Sequence, residues 1–142
     1  MTLTMTPSIT IPTNIPHAHE HDHTHDHSHH RPVELSQEFI SKYEAQESPL
    51  SPMGTFVFYR TYSRFSNKLG RRETWIEACK RAVEYNVGLA YDHMLKIGYT
   101  PDLVEFNAEA EALFDSMYNT KQFVSGRTLW IGGGENAVAE KY

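Results

Sequence analysis

Apolar residues take up helical spacing only from about residue 34 onward, and the stretch before it is polar. Leu35, Phe39, Ile40 and Tyr43 fall on one face of a helix, because side chains three and four apart stack on the same side. Ser36 precedes that face as an N-cap, its hydroxyl suited to one of the first free N–H groups. Ser48-Pro49-Leu50-Ser51-Pro52-Met53-Gly54 breaks the pattern. Phe56 to Tyr62 supports two readings. Its aromatic and β-branched residues suit a strand, while Phe58, Tyr62 and Phe65 also fit a helix.

Thr74-Trp75-Ile76-Glu77 has the spacing of a capping box. Behind it Trp75, Ala78, Cys79, Ala82, Val83 and Asn86 form a narrow, mostly apolar stripe, with Glu77, Lys80, Arg81 and Glu84 expected mainly off it. This helix is predicted to run to about Lys96, with a weak point at Gly88, and to end at Gly98 and Pro101. Asp102 then caps a second amphipathic helix carrying Leu103, Phe106, Ala110, Leu113, Phe114 and Met117, with Asn119 at its end. Thr128 to Ile131 is β-prone and is followed by Gly132-Gly133-Gly134, which predicts a short strand stopped by a turn. The triplet lacks the Lys-Ser/Thr of a phosphate-binding loop. A lone strand needs a sheet partner for its backbone groups, so that end of the chain reads as part of a larger unit.

Residues 1–32 have little to bury and read as a disordered tail, since a segment of this kind cannot offset its ordering entropy. The expected fold is therefore mostly α: a tail over 1–32, a helical domain over 33–124, and over 125–142 the first strand and turn of an incomplete barrel. A length of 142 residues suits one domain. The formal net charge of -5 offers nucleic acid no general attraction. No stretch is long and apolar enough to span a bilayer, and the first residues lack a secretory signal. The default is a soluble cytoplasmic protein with no membrane partner.

His17, His19, His21, His23, His25, His27, His29 and His30 alternate with small or acidic residues. Neutral imidazoles at this spacing bind Zn²⁺ or Ni²⁺ adventitiously. The tract is either a solvated, metal-capable tail or a metal-buffering, pH-responsive one. His93 reads as a structural residue of the long helix. The single cysteine, Cys79, permits no internal disulfide or Cys-rich zinc site and reads as a small buried apolar residue. Arg60, Arg64, Lys68, Arg71 and Arg72 cluster around Tyr59, Tyr62 and Phe65. That is either a solvated face over core aromatics or a surface for nucleotides or single-stranded nucleic acid.

Phe58-Tyr59-Arg60-Thr61-Tyr62-Ser63-Arg64, Arg72-Glu73-Thr74-Trp75 and the run from Lys121 through Ser125-Gly126-Arg127-Thr128-Leu129-Trp130 to Gly134 occur in that order. Together they resemble the amino-terminal part of an adenosylcobalamin-dependent ribonucleotide reductase of the monomeric, triphosphate-reducing kind. The resemblance implies a helical region leading into the first strand of a ten-stranded barrel. It implies reduction of ribonucleotides to deoxyribonucleotides by radical chemistry, for DNA synthesis. Three thiols would serve that reaction, with adenosylcobalamin as cofactor bound by the remainder of the enzyme. The implied partners are that C-terminal remainder, a ribonucleoside triphosphate substrate and a thioredoxin-type reductant. Ser125, Gly126 and Arg127 would belong to the substrate-phosphate cradle, against the plainer reading of a turn with an ion-pairing arginine. The chain reaches Tyr142 before any cysteine of the redox set, so alone it is expected to be inactive. The alternatives are a small helical metal-binding protein with a His-rich tail, or a helical nucleic-acid module acting through residues 60–72.

Overall fold

The structure is a computed structural model that describes residues 32–134. Its frame is a pair of long helices, α3 (Trp75–Lys96) and α4 (Leu103–Tyr118). Thr74 and Glu77 form the expected capping box, with each side chain bonded to the other's backbone N–H. The helix runs through Gly88 and stops at Ile97, where Gly98 takes φ +88°. Asp102 caps α4 by accepting from the Val104 N–H at 2.8 Å. The helices pack antiparallel, and the Trp75 indole N–H donates to the Tyr118 carbonyl at 3.1 Å across their base.

The core lies at that base. α1 (Gln37–Glu44), capped by Ser36, lays Ile40 and Tyr43 onto it. Phe39, Tyr43, Phe114 and Tyr118 form an aromatic group there, with neighbouring ring centroids 4.9–6.0 Å apart. Three of these contacts, Phe39–Phe114, Tyr43–Phe114 and Tyr43–Tyr118, are edge-to-face, which adds to area burial because ring edges are positive and faces negative. The outer ends of the long pair stay exposed, including Leu89, Leu95, Ile97 and Leu103. Leu103 therefore leaves the set of predicted core positions.

Two expectations are revised, and one open reading is decided. Arg81 and Glu84 are buried, at 6% and 1% exposure, instead of standing off the α3 stripe. The cause is that α3 is covered on more than the one side its stripe faces. The leading segment packs on it through Val33 and Leu35, with the Leu35 N–H donating to the Glu84 carboxylate at 2.9 Å, and a later helix packs near Arg81. Phe56 to Tyr62 is helical: α2 (Pro52–Val57), capped by Ser51, continues into a π-helical segment, Phe58–Tyr62.

The second revision concerns the predicted strand at Thr128 to Ile131, which is part of a helix, α5 (Gly126–Ile131). Ser125 caps it, and Leu129 N–H bonds to the Ser125 carbonyl at 2.9 Å. Leu129 is buried in the core. Capping and that anchor override a weak local β preference. The only strands among the described residues are β1 (Phe65–Ser66) and β2 (Arg71–Arg72), an antiparallel pair. No described helix is long and apolar enough to cross a membrane.

The Tyr43 hydroxyl donates to Asp115 Oδ1 at 2.9 Å, tying α1 to α4. Burial, and then this bond, push the phenol up to about 12. A raised phenol pKa means that the folded state holds its proton more tightly. Its contribution is thus complete below the free tyrosine value of about 10 and is lost as pH rises toward the folded value. Urea unfolding between pH 8 and 12 is expected to show this alkaline loss, and Tyr43→Phe to flatten part of it while costing about 1 kcal/mol at pH 8.

Candidate functional site

The hairpin between the π-helical segment and α3 is built around its own carboxylate. The Ser63 hydroxyl donates to the Glu73 carbonyl at 2.8 Å, and the Glu73 N–H donates to the Arg64 carbonyl at 2.8 Å. β1 and β2 pair Phe65 with Arg72 and Ser66 with Arg71, and Gly70 supplies the left-handed turn residue at φ +65°. The Glu73 side chain then turns inward. Its Oε1 accepts from the Arg64 N–H at 3.1 Å and from Arg81 Nη2 at 2.5 Å, and its Oε2 accepts from Arg81 Nε at 3.0 Å.

Arg81 is engaged on its far side as well. It donates to the Gly132 carbonyl at 2.6 Å and the Leu129 carbonyl at 2.8 Å, where the end of α5 has acceptors that no helical N–H satisfies. One buried guanidinium thus joins the hairpin, α3 and α5. The fork geometry of arginine serves a carboxylate and two carbonyls at once, which an ammonium group cannot do in a plane. The glycine turn closes over this junction. A Cβ at Gly132 would lie 2.7 Å from the Tyr85 ring, so the chain needs glycine there, and Gly133 has φ +67°. The triplet is a turn, as its sequence implied.

Beside the junction lies an open groove of about 610 Å³, lined by Arg60, Tyr62, Arg72, Gly126, Arg127 and Trp130 among others. The π-helical turn, marked by the Ser63 N–H to Phe58 carbonyl bond of 2.9 Å, leads into it; such wide turns reorient side chains and recur at functional sites. The Tyr62 ring lies over Gly126, where a Cβ would already be 3.4 Å from it. Arg64 sits 4.9 Å from the centre of the Trp130 ring and fixes the indole at the groove's edge.

Of the three anticipated site residues, Gly126 and Arg127 line this groove, and Ser125 precedes them in the chain. Ser125 is exposed and caps α5, its Oγ accepting from the Thr128 N–H at 3.2 Å and lying 2.9 Å from the Thr128 hydroxyl. Gly126 permits the Tyr62 contact, and Arg127 is exposed. The basic cluster, by contrast, divides. Arg71 makes a two-pronged bond to Glu77 at 2.9 and 2.7 Å, and that bond leads the causes holding the Glu77 carboxyl below its usual range. Arg72 donates to the Ser63 carbonyl at 2.6 Å.

Cys79 is fully buried, and burial pushes its thiol well up, so it offers no thiolate. His93 is exposed in the last turn of α3. The histidines from His17 to His30 lie outside the described residues, and among the described residues no cluster of His, Cys, Asp or Glu is arranged to hold a metal ion. Sequence reasoning missed the Glu73–Arg81 pair. Its only trace was a charged residue beside an apolar stripe.

A family model described as the ribonucleotide reductase alpha domain matches residues 35–134. The adenosylcobalamin-dependent ribonucleoside-triphosphate reductase of Lactobacillus leichmannii is 37% identical over 103 residues, which are 71% of this chain and 14% of that protein. The enzyme of the same description from Levilactobacillus brevis is 38% identical over 104 residues, again 71% and 14%. A solved structure of a B12-dependent (class II) ribonucleotide reductase superposes with a TM-score of 0.63 at 36% identity, covering 72% of this chain and 14% of that one. The chain thus spans 14% of the length of these relatives.

Arg81→Met would leave the Glu73 carboxylate buried without its partner. Such a loss typically costs about 3–5 kcal/mol. Denaturant unfolding is expected to show a destabilisation of that size, and hydrogen exchange to show α5 losing protection first. Adding Glu73→Gln to Arg81→Met should recover part of the loss, because it removes the stranded charge.

Proposed function

This chain belongs to the ribonucleotide reductase alpha-domain family, and on that premise we propose that it forms the amino-terminal helical portion of an adenosylcobalamin-dependent ribonucleoside-triphosphate reductase. The observation that carries the reading is agreement at two levels over the same stretch. A solved class II reductase shares 36% identity and a TM-score of 0.63 with it. The reaction would be reduction of a ribonucleoside triphosphate to its deoxy form, in the cytoplasm, in support of DNA synthesis.

In this reading the chain's own work is placement. Ser125, Gly126 and Arg127 border the substrate's phosphate side. Gly126 is exposed and adds no side chain to the groove, and the Tyr62 ring packs against it. Arg127 presents an exposed guanidinium suited to phosphate oxygens. The Glu73–Arg81 junction fixes α5 beneath them.

Adenosylcobalamin, when bound, supplies the initiating radical. The described residues do not fit that cofactor. The groove is open, with Tyr62, Trp130 and Ile131 sharing its lining with three arginines, and it forms no enclosing bowl for a corrin ring. The cofactor, the redox thiols and the contact with a thioredoxin-type reductant are assigned to the C-terminal remainder. Cys79 does not substitute for a redox thiol, because it is sealed in the core. Met53, Phe56 and Tyr59 on α2 and the π-helical segment, with Phe123, are large and exposed, and they offer that remainder an apolar surface to cover.

Reconstitution tests the reading. The chain is mixed with a polypeptide comprising the L. leichmannii reductase without its matching region. Adenosylcobalamin-dependent reduction of a ribonucleoside triphosphate is expected only in the mixture, and Arg127→Ala is expected to raise KM more than it lowers kcat. Two folded pieces that neither associate nor turn over substrate would refute the assignment.

A further inference from the structure

Three arginines, Arg60, Arg72 and Arg127, reach the same groove from three different elements, and none of the residues lining it is acidic. That is a local concentration of positive charge in a chain whose formal net charge is -5. Arg60 and Arg127 make no ion pair or hydrogen bond with any described residue, whereas the neighbouring Arg71 and Arg64 are committed to Glu77 and to the Trp130 ring. Arg72 spends Nη1 on the Ser63 carbonyl, which orients its guanidinium at the groove and leaves donors over. The wide π-helical turn at Phe58–Tyr62 delivers Arg60 to this wall.

We propose that Arg60, Arg72 and Arg127 together receive the polyphosphate tail of a free nucleoside triphosphate. The proposal rests on the reductase reading and deepens it, adding Arg60 and Arg72 to the phosphate side of the substrate. Three cations from three separate elements suit an elongated anion better than a compact one. The overall acidic charge offers a long nucleic-acid strand no general attraction beyond the groove. Because all three arginines are exposed, the attraction is screened by salt.

The test uses the whole chain at pH 8 and follows tryptophan fluorescence, since Trp130 stands at the groove with 47% exposure while Trp75 is buried. The probes are inorganic tripolyphosphate, inorganic phosphate and a short oligothymidylate. Tripolyphosphate is expected to bind more tightly than phosphate, and binding should weaken with added salt. Arg60→Ala and Arg127→Ala should each weaken it roughly two- to fivefold, as for exposed ion pairs. Lys96→Ala, which removes the same charge at the far end of α3, should leave binding unchanged. Circular dichroism verifies that each variant remains folded.

Equal weakening by Lys96→Ala, or none by the arginine variants, would overturn the proposal. So would phosphate matching tripolyphosphate, or absence of binding to the unaltered chain. Tighter binding of the oligothymidylate would assign the groove to single-stranded nucleic acid instead. The reductase reading is judged separately, by reconstituted turnover, and survives each of these failures if turnover is restored.

Discussion

The buried pair between Glu73 and Arg81 is the constraint on which the site depends. It joins three parts of the chain at one buried point: a short hairpin, the long helix, and the six-residue helix α5. None of these is stable by itself. A two-residue strand pair is too short to persist, and a helix of six residues cannot recover its nucleation cost in water. Each is held because a charge that would be costly to bury alone finds every partner it needs. Burying ions in this way is seldom the most stabilising choice. Here it specifies which segments adjoin, with hydrogen-bond directions that an apolar contact would not impose.

The aromatic base of α1, α3 and α4 plays a different part. It is non-directional and packs α1 and α4 against α3. Phe39, Tyr43, Phe114 and Tyr118 supply burial, and the Trp75 to Tyr118 bond fixes how the two long helices align. The rigid frame allows the groove to be lined by residues whose own elements are slight.

Much of this frame was legible in the residues. The Thr74–Glu77 capping box, the end of α3 near Lys96, the Asp102 cap and the Ser36 cap all follow from local chemistry, and local chemistry is what a sequence displays directly. What was not legible depended on distant partners. Arg81 lies next to an apolar stripe, so its periodicity marks it as surface. It is buried because Leu129 and Gly132, roughly fifty positions on, present carbonyls to it. Thr128 to Ile131 misled for a related reason: its β preference is weak, and the outcome was decided by the Ser125 cap and by Leu129 meeting the core. The anticipated site residues Ser125, Gly126 and Arg127 were placed by family resemblance, and the groove that gathers Arg60 and Arg72 beside them became visible only in three dimensions.

The Glu73–Arg81 pair also sets an order of events during synthesis. Its two members are eight positions apart, whereas the carbonyls that Arg81 holds are 48 and 51 positions further along. As the chain leaves the ribosome from its amino end, the guanidinium can meet Glu73 while α5 has yet to be made. Short loops close at less entropic cost than long ones, so the carboxylate is the earlier partner. The last helix then arrives at a receptor already oriented. In that sense the ion pair acts as a template, holding a place in the fold for a segment that does not yet exist.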